Sequence, residues 1–512
     1  MPINSPRKLF HTASPLLALL LLVGVPAIRL RAMYSSTPLF LPAVTYDSGG
    51  GADSVAIADV NGDGKPDLLV ANYNSGTIGV LLGNGDGTFK AATTFDAGGP
   101  NINTYSIAVA DLNGDGKPDV VVTVVLNGSQ HSPLRVLLGN GDGTFQPAVA
   151  YDTDGFNPYT VLVADVNGDS KLDLAVVNEF VVSILIGNGD GTFQTPTTYG
   201  TGGSFADSGV VADINGDGRP DLIVSNKSGG VGVLLGNGDG TFLTAKTYGS
   251  GAFWTTVGDV NGDGKPDLMF VNSNYPNDGV VGVLLGNGDG TFRSGETYDA
   301  GGVGSWRVAM DDINGDSKPD LLVANRYSES LSMLLGNGDG TFQAAVTTQS
   351  GGDPWSIAVA DVNGDKRPDL VVADLSFSSG SEEGGVGVLL NNTQADSTSP
   401  VITAFATPRV LWPPNGRMVS VTVSGTITDT GSGVNVNSAA YAVKDEYGEV
   451  QPTGAIPLSV SGNYSFNILL QASRRGADVD GRRYTVTVRA KDNAGNRGSK
   501  TTAVTVPHGQ GD

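Results

Sequence analysis

The chain has 512 residues, of which 39% are apolar, and a formal net charge of −22. This length exceeds what one ordinary hydrophobic core holds, so we expect several units or a closed repeat array. The negative charge argues against nucleic-acid binding. The absence of cysteine excludes disulfides, thiolate metal sites and a cysteine nucleophile.

The first residues have the pattern of a signal peptide. Arg7, Lys8 and His11 precede an apolar run from Leu16 to Val25, and small residues typical of a cleavage site follow. The alternative is a retained anchor, but the run is shorter than the roughly 20 apolar residues that a membrane-spanning helix needs. We expect residues 1–32 to be removed. The mature protein should then be extracellular, released or held at the cell surface, without membrane insertion.

An Asp-rich nonapeptide, here called the Asp loop, organises the next part of the chain. It first occurs at residues 59–67 with the sequence DVNGDGKPD, and it starts again at Asp111, Asp165, Asp213, Asp259, Asp312 and Asp361. Successive copies start 46 to 54 residues apart, an interval that suits a propeller blade of four short strands. Seven copies predict an all-β fold with a seven-bladed β-propeller over residues 39–392.

Short strands are predicted around each Asp loop. In the first repeat, residues 54–58, 68–71 and 78–82 have strand patterns, and the turn GNGDGTF at residues 83–89 leads to a fourth strand. This turn occurs six times, so the last blade lacks an outer strand. Residues 40–47 are similar to the fourth strand at residues 145–152, so we predict that the N-terminal segment completes the seventh blade and closes the ring. The phenylalanine that ends each turn should pack between neighbouring blades.

These repeats resemble the FG-GAP or VCBS repeats of integrin α-chain propellers and of many secreted bacterial proteins. The resemblance covers residues 39–392 and rests on the seven in-phase copies of the Asp loop. It implies that the loops bind calcium. It also implies that the ring serves ligand binding rather than one shared chemistry.

The residues of the Asp loop suit calcium on chemical grounds as well. Calcium takes six to eight oxygen ligands, and loop positions 1, 3, 5 and 9 supply side-chain oxygens while position 7 supplies a carbonyl. An EF-hand is rejected, because it needs a Glu at position 12 and flanking helices. The remaining alternative is a polar turn that holds no metal. Glycine at position 6 is replaced by Ser170, Ser317 and Lys366, which predicts strain in three loops.

We therefore predict up to seven Ca²⁺ ions as structural cofactors. The predicted metal ligands are Asp59, Asn61, Asp63, Asp67, Asp111, Asn113, Asp115, Asp119, Asp165, Asn167, Asp169, Asp173, Asp213, Asn215, Asp217, Asp221, Asp259, Asn261, Asp263, Asp267, Asp312, Asn314, Asp316, Asp320, Asp361, Asn363, Asp365 and Asp369.

A second repeated position lies six residues before each Asp loop. We call these seven residues the ring positions: Asp53, Tyr105, Tyr159, Asp207, Phe253, Trp306 and Trp355. They enter the inner strand from the end opposite the loop, so they should surround the central mouth on the other face. Because aromatic anchors dominate binding hot spots, the five aromatic members are predicted to bind a ligand. The alternative is that they act as wedges between blades.

The sequence gives little support for catalysis. His11 lies in the signal peptide, His508 in the tail and His131 in a loop, so a Ser-His-Asp triad is not expected. We expect a monomeric, non-enzymatic binding or adhesion protein whose ligand is an extracellular carbohydrate or protein. The alternatives are a calcium-dependent carbohydrate-active enzyme, similar to polysaccharide lyases that use such propeller repeats, and a purely structural surface protein.

A different domain is predicted after a polar linker at residues 393–400. Five strand patterns occupy its sequence, at residues 419–427, 439–444, 464–470, 484–490 and 501–506. The segment KDNAGN at residues 491–496 resembles the last hairpin of bacterial immunoglobulin-like modules. The resemblance implies a small immunoglobulin-like β-sandwich over residues 401–507, used for adhesion or spacing. Within it, Asp492 is either an ion ligand or part of a simple turn.

Overall fold

The computed structural model describes residues 39–99, 102–126, 132–272, 278–375, 384–393, 398–429, 434–459, 462–492 and 496–508. The predicted signal peptide, half of the predicted linker and His131 lie outside these ranges. Within them the chain forms strands and no helix, which confirms the all-β prediction. It follows that none of these residues forms an apolar helix that could cross a bilayer.

Seven four-stranded antiparallel sheets, numbered I to VII, fill the repeat region. The first strand of the chain, β1 (Val44–Asp47), belongs to sheet VII. Sheet I contains β2 (Ala52–Ala58), β3 (Asp67–Asn72), β4 (Thr77–Leu81) and β5 (Thr93–Asp96). Sheet II contains β6 (Ile102–Ala110), β7 (Asp119–Leu126), β8 (Leu134–Leu137) and β9 (Val149–Tyr151). Sheet III contains β10 (Pro158–Ala164), β11 (Asp173–Asn178), β12 (Val181–Leu185) and β13 (Thr197–Gly200).

The remaining sheets repeat this order. Sheet IV contains β14 (Ser204–Ala212), β15 (Asp221–Ser228), β16 (Gly230–Leu234) and β17 (Lys246–Tyr248). Sheet V contains β18 (Trp254–Gly258), β19 (Asp267–Asn272), β20 (Asp278–Gly286) and β21 (Phe292–Val303). Sheet VI contains β22 (Ser305–Asp311), β23 (Asp320–Asn325), β24 (Ser330–Leu334) and β25 (Val346–Gln349). Sheet VII contains β26 (Pro354–Ala360), β27 (Asp369–Asp374), β28 (Gly385–Leu389) and β1.

The seven sheets follow one another in a closed cycle. The first strand of each sheet contacts the first strand of the next, and β26 of sheet VII contacts β2 of sheet I. Strand β1 pairs with β28 from Val44 opposite Val388 to Asp47 opposite Gly385, so the N-terminal segment completes sheet VII as predicted. This pairing joins the two ends of the repeat region and covers a sheet edge that would otherwise be open. The architecture is that of a β-propeller.

The core lies between neighbouring sheets. The second strand of each sheet is an apolar run because both its faces are buried, as at Leu68, Leu69 and Val70 of β3. The phenylalanine that ends each predicted turn packs edge-on against an aromatic ring of the preceding sheet. For example, the Phe89 and Tyr46 ring centroids are 5.6 Å apart at 82°. Five further pairs repeat this contact, which confirms the predicted position between sheets.

The C-terminal region forms two further sheets. One contains β29 (Val401–Ile402), β30 (Phe405–Thr407), β31 (Met418–Thr428) and β34 (Asn463–Gln471), and the other contains β32 (Val434–Asp445), β33 (Thr453–Ala455), β35 (Arg482–Asp492) and β36 (Arg497–Val506). Both sheets contribute to one buried cluster, to which β31 supplies Val421 and β35 supplies Val486. All five predicted strands are present. The immunoglobulin-like assignment stays a prediction.

A buried ion pair connects two strands of this region. Arg482 and Asp445 have fully buried side chains, and the guanidinium donates Nε–H to Asp445 Oδ1 over 2.9 Å and Nη2–H to Oδ2 over 2.5 Å. Burial alone would raise the pKa of Asp445. The hydrogen bonds from Arg482 and from three backbone N–H groups outweigh that effect and lower the pKa to about 2.

Candidate functional site

The first five residues of each Asp loop form a compact, hydrogen-bonded turn. In sheet I, Asp59 Oδ1 accepts the N–H of Gly62 over 2.8 Å and that of Asp63 over 3.2 Å, while Oδ2 accepts the N–H of Gly64 over 2.7 Å. Asn61 Oδ1 accepts the N–H of Asp63 over 2.8 Å. The loop therefore wraps around the first carboxylate, and the structure brings positions 1, 3 and 5 together.

Position 9 of the loop has a different environment. Asp67 is the first residue of β3 and is fully buried. Its Oδ2 accepts the N–H of Val60 over 3.0 Å, and its Oδ1 accepts the N–H of Gly83 over 2.7 Å. The same two bonds recur at 2.7–3.1 Å in all seven sheets, with Asn391 in the place of Gly83 in sheet VII. This carboxylate ties the Asp loop to the strand that follows it and to the outer turn.

Position 6 of the loop adopts a left-handed conformation in every copy. Gly64 has a φ of 79°, and the three non-glycine residues predicted to be strained have φ values of 65° (Ser170), 62° (Ser317) and 66° (Lys366). For residues other than glycine this conformation costs about 1–2 kcal/mol. The predicted strain in three loops is thus confirmed by their backbone geometry.

The donor set of the loop suits calcium in its chemistry, because it consists of carboxylate and amide oxygens. Each oxygen that accepts one backbone N–H keeps a second lone pair. In the ranges that the structure describes, however, no three acidic, imidazole or thiol side chains converge closely enough to hold a metal. A set made of two carboxylates and one amide, such as Asp59, Asn61 and Asp63, is not such a cluster, and its oxygens fit the ligand chemistry of Ca²⁺.

The residues at the ring positions lie at β-bulges of the innermost strands. The pairing of β2 with β3 passes from Ala52 to Ser54, so Asp53 has no partner in the ladder. Equivalent shifts occur in sheets II, III, IV, VI and VII. In sheet V, Phe253 precedes β18 and donates its N–H to Val271, which also pairs with Trp254. Because a bulge re-aims the side chain of its extra residue, the local backbone explains why these residues leave the regular alternation of the strand.

The ring positions meet at a cavity of about 180 Å³ on the axis of the cycle of sheets, here called the axial cavity. Six of the seven ring positions line it, together with Lys227 and Arg307. The exception, Phe253, contacts Trp306 with ring centroids 5.1 Å apart. Neighbouring aromatic members also touch each other, as Tyr105 and Tyr159 do at 5.2 Å. The aromatic residues therefore pack against one another and line the cavity at the same time.

Asp53 is the most unusual group of the axial cavity. Its side chain is 1% exposed, and its Oδ1 has no hydrogen-bond partner in the described part of the chain. Burial raises the pKa of Asp53 to about 7, although the positive charges of Arg307 and Arg326 oppose this shift. Arg307 is also buried, and burial lowers its pKa while Asp53 and Asp207 oppose the change. A buried carboxyl group and a buried guanidinium group thus both line the cavity.

The other charged groups near the cavity are paired. Lys227 Nζ lies 3.1 Å from Asp207 Oδ1 and 5.0 Å from the ring centroid of Trp306. The guanidinium of Arg326 lies over the Trp355 ring at 3.6 Å. Asp353 Oδ2 is 3.3 Å from Arg326 Nε and accepts the indole N–H of Trp355 over 3.1 Å. These contacts fix two aromatic walls of the cavity.

Several of these residues were not predicted from the sequence. Lys227 and Arg326 share one repeat position, six residues after position 9 of the loop, with Glu179 and with Tyr73, whose ring contacts those of Tyr105 and Trp355. Comparing that position across the repeats would have revealed them. Arg307 directly follows a ring position, where the other six repeats have Ser, Thr or Trp. The available signal for Arg307 was that it is the single charged residue at a repeat position that otherwise holds small or apolar residues.

The cyclic sheets and their axial cavity define the chain as a β-propeller of repeated Asp-loop units. A model of the FG-GAP-like repeat matches residues 59–122, 123–176, 165–224, 213–270, 259–323 and 312–372. These matches together span more than half of the chain. The chain therefore belongs to the FG-GAP-like repeat family.

A T-cell immunomodulatory protein homolog from Plasmodium yoelii yoelii is 28% identical over 142 residues, which are 23% of this chain and 19% of that protein. The match thus spans about a fifth of the relative's length. Among solved structures, a lectin from Agrocybe aegerita that specifically recognises non-reducing terminal N-acetylglucosamine is 24% identical, with a TM-score of 0.44, over 67% of this chain and 86% of the lectin. Sqt1 from Saccharomyces cerevisiae is 10% identical, with a TM-score of 0.45, over 69% of this chain and 98% of Sqt1.

Proposed function

We propose that this chain is a secreted, non-enzymatic binding module that holds an extracellular carbohydrate or protein ligand in its axial cavity, with calcium as a structural staple. The observation that carries the proposal is the convergence of six ring positions on one cavity that also contains a buried carboxylate oxygen without a partner. Binding sites are typically concave, rich in aromatic side chains and supplied with a few polar groups.

Calcium enters the proposal through the Asp loops. Each loop holds three Asp carboxylates and one Asn amide within nine residues, and its first carboxylate accepts several backbone N–H groups. An ion at positions 1, 3 and 5 would neutralise like charges that the exposed turn otherwise keeps close together. The buried carboxylate at position 9 would then anchor the loop from the protein side. Up to seven Ca²⁺ ions would be held in this way.

Secretion is proposed from the N-terminal sequence pattern and fits a protein without cysteine that uses ions in place of disulfides. The net charge of −22 supports the expectation that nucleic acid is not a partner. We also propose that the protein acts as a monomer, since β1 covers the sheet edge at which the repeats end.

A carbohydrate-active enzyme is the second candidate. The observation in its favour is Asp53, because a buried carboxyl with a pKa of about 7 next to Arg307 is a group suited to general acid–base chemistry. The binding module is preferred, because half of the residues that line the cavity are aromatic, and aromatic surface suits ligand binding rather than proton transfer.

An array of glycans and extracellular proteins, probed with the full chain in calcium buffer, tests the proposal. Solutions of each bound glycan are then incubated with the protein and monitored for unsaturated sugar products. The proposal expects binding without products, loss of binding in Trp306→Ala, and unchanged binding in Trp412→Ala, which alters an exposed tryptophan of the C-terminal region. Product formation would favour the enzyme, and binding that survives Trp306→Ala would remove the axial cavity from the proposal.

A further inference from the structure

Two ring positions carry aspartate, and the two differ in their partners. Asp207 in sheet IV forms an ion pair with Lys227, which lies at the end of the second strand of the same sheet. The corresponding residue of sheet I is Tyr73, which cannot supply a charge to Asp53. Asp53 Oδ1 accordingly lacks a hydrogen-bond partner in the described chain although its residue is 1% exposed. A buried acceptor without a donor is destabilising, so an external donor would be strongly favoured there.

Arg307 has the opposite requirement, because its guanidinium is a hydrogen-bond donor that needs an acceptor. Its Nε–H donates to the Trp355 carbonyl over 2.7 Å, and the described residues offer no acceptor to its terminal Nη atoms. Arg307 and Asp53 influence each other electrostatically, but no ion pair within 4.0 Å joins them in the described chain. A group placed between them therefore has to donate one hydrogen bond and accept another. A hydroxyl group meets both demands.

The charges around the cavity disfavour a charged ligand. An ammonium group would meet the positive charges of Lys227, Arg307 and Arg326. A carboxylate would meet Asp207 and, where it is ionised, Asp53, both of which line the cavity. Between Asp53 and Arg307, an uncharged group with both donor and acceptor capacity has the lowest electrostatic cost.

The walls and the size of the cavity further restrict which ligand can bind. Tyr105, Trp306 and Trp355 present aromatic surface, against which the apolar C–H face of a sugar ring packs. A volume of about 180 Å³ suits one sugar ring rather than a chain. The closed cycle of sheets surrounds the cavity on its sides, so a polymer enters along the axis with its end first.

We infer that the axial cavity binds the uncharged terminal sugar ring of a glycan, with one hydroxyl group bridging Asp53 and Arg307. This inference rests on the proposed function and specifies its carbohydrate form. It assigns the aromatic ring positions to stacking and the two buried charges to recognition of a hydroxyl.

Saturation-transfer NMR and calorimetry with the full chain and single sugars test the inference. The neutral probes are the methyl glycosides of glucose, galactose and mannose, and N-acetylglucosamine. Their charged counterparts are glucosamine, with an ammonium group, and glucuronate, with a carboxylate. We expect at least one neutral sugar to bind, and each charged counterpart to bind at least tenfold more weakly than that sugar.

The decisive variant is Asp53→Asn. The side chain keeps its shape but presents only one acceptor oxygen, so affinity for the neutral sugar should fall at least tenfold. Because the change removes a buried charge, the melting temperature at pH 8 should stay equal or rise, and loss of binding then does not reflect unfolding. Asp47→Asn, on the exposed outer strand β1, is the matched control and should bind like the wild type.

Preference for glucosamine or glucuronate would overturn the inference, and so would unchanged affinity in Asp53→Asn. If the array identifies only protein ligands that need Trp306, or if no single sugar binds, the sugar assignment fails while the proposed binding function stands. If the array finds no ligand at all and the sugars do not bind, both fail.

Discussion

Gly83 donates its backbone N–H to the buried carboxylate of Asp67 over 2.7 Å, and this bond connects the Asp loop of sheet I to the turn between its two outer strands. The equivalent bond is present in each of the seven sheets, and the second oxygen of the same carboxylate accepts an N–H of the loop itself. Position 9 therefore has a structural role that does not depend on an ion.

Removing this carboxylate should destabilise the propeller even without calcium. In sheet IV, Asp221→Ala leaves the N–H groups of Ile214 and Gly236 without their acceptor, so the free energy of unfolding should fall by about 1–3 kcal/mol. Urea unfolding in EDTA measures this decrease in the free energy of unfolding. Asp239→Ala, in the exposed turn of the same sheet, is the control and should cost less. Equal stability of Asp221→Ala and the wild type would show that the bonds contribute nothing.

Calcium removal should lower the melting temperature. If free calcium exceeds the dissociation constant about 100-fold, each independent site adds about 2.7 kcal/mol to the stability of the folded state. Elemental analysis should find up to seven calcium ions per chain, and Asp213→Ala should remove one of them. Magnesium at the same concentration is the control and should restore less stability. A melting curve that EDTA leaves unchanged would contradict the calcium proposal.

The pKa of Asp53 makes stability depend on pH. The unfolded carboxyl ionises near 3.8, whereas burial keeps the folded one protonated to about pH 7, so this group lowers the stability progressively between pH 4 and pH 7. Arg307, Asp207, Arg326 and Tyr105 are the charged and titratable groups that influence it.

Asp53→Asn should remove this dependence. At pH 8 the variant should be more stable than the wild type by up to about 4 kcal/mol, and at pH 4 the two should be nearly equal. Chemical unfolding across this pH range gives the difference curve. A difference that stays constant with pH would show that Asp53 ionises normally in the folded protein.

The ion pair of the C-terminal region should be costly to break. Arg482→Gln leaves the Asp445 carboxylate buried without its bidentate partner, and such losses cost about 3–5 kcal/mol. Differential scanning calorimetry should show a lower transition for the C-terminal region. Replacing both residues, in Arg482→Met with Asp445→Leu, should not recover the loss, because the N–H groups of Tyr447, Glu449 and Val450 then lose their acceptor. If the single variant melts like the wild type, the pair is not a determinant of stability.

Because the sequence repeats, much of the fold could be predicted from it. Seven Asp loops at similar intervals located the strands before and after each loop, and the similarity of residues 40–47 to residues 145–152 predicted the pairing of β1 with β28. In the C-terminal region the three strands of two or three residues, β29, β30 and β33, were missed. Such short segments carry no period of their own and form because longer neighbours offer them an edge.

The candidate site could be predicted only in part from the sequence. Its ring positions were found because they keep a constant distance from the Asp loop. Arg307 and Lys227 were missed, since their places at the cavity depend on bulges and on contacts between sheets, which one repeat does not encode. The burial of Asp67 was missed for a similar reason, because the bond from Gly83 joins residues 16 positions apart.

Tryptophan fluorescence during ligand titration tests binding at the axial cavity most directly. Trp306 and Trp355 line the cavity, Trp254 stacks on Arg307 at 3.6 Å, and Trp412 is an exposed residue of the C-terminal region. With the strongest ligand from the array, emission should change in the wild type and in Trp412→Phe with the same dissociation constant. In the double variant Trp306→Phe with Trp355→Phe the change should be much smaller, since only Trp254, which stacks on Arg307, remains near the cavity. A titration curve that is lost in Trp412→Phe but retained in the double variant would place the ligand elsewhere and contradict the proposed site.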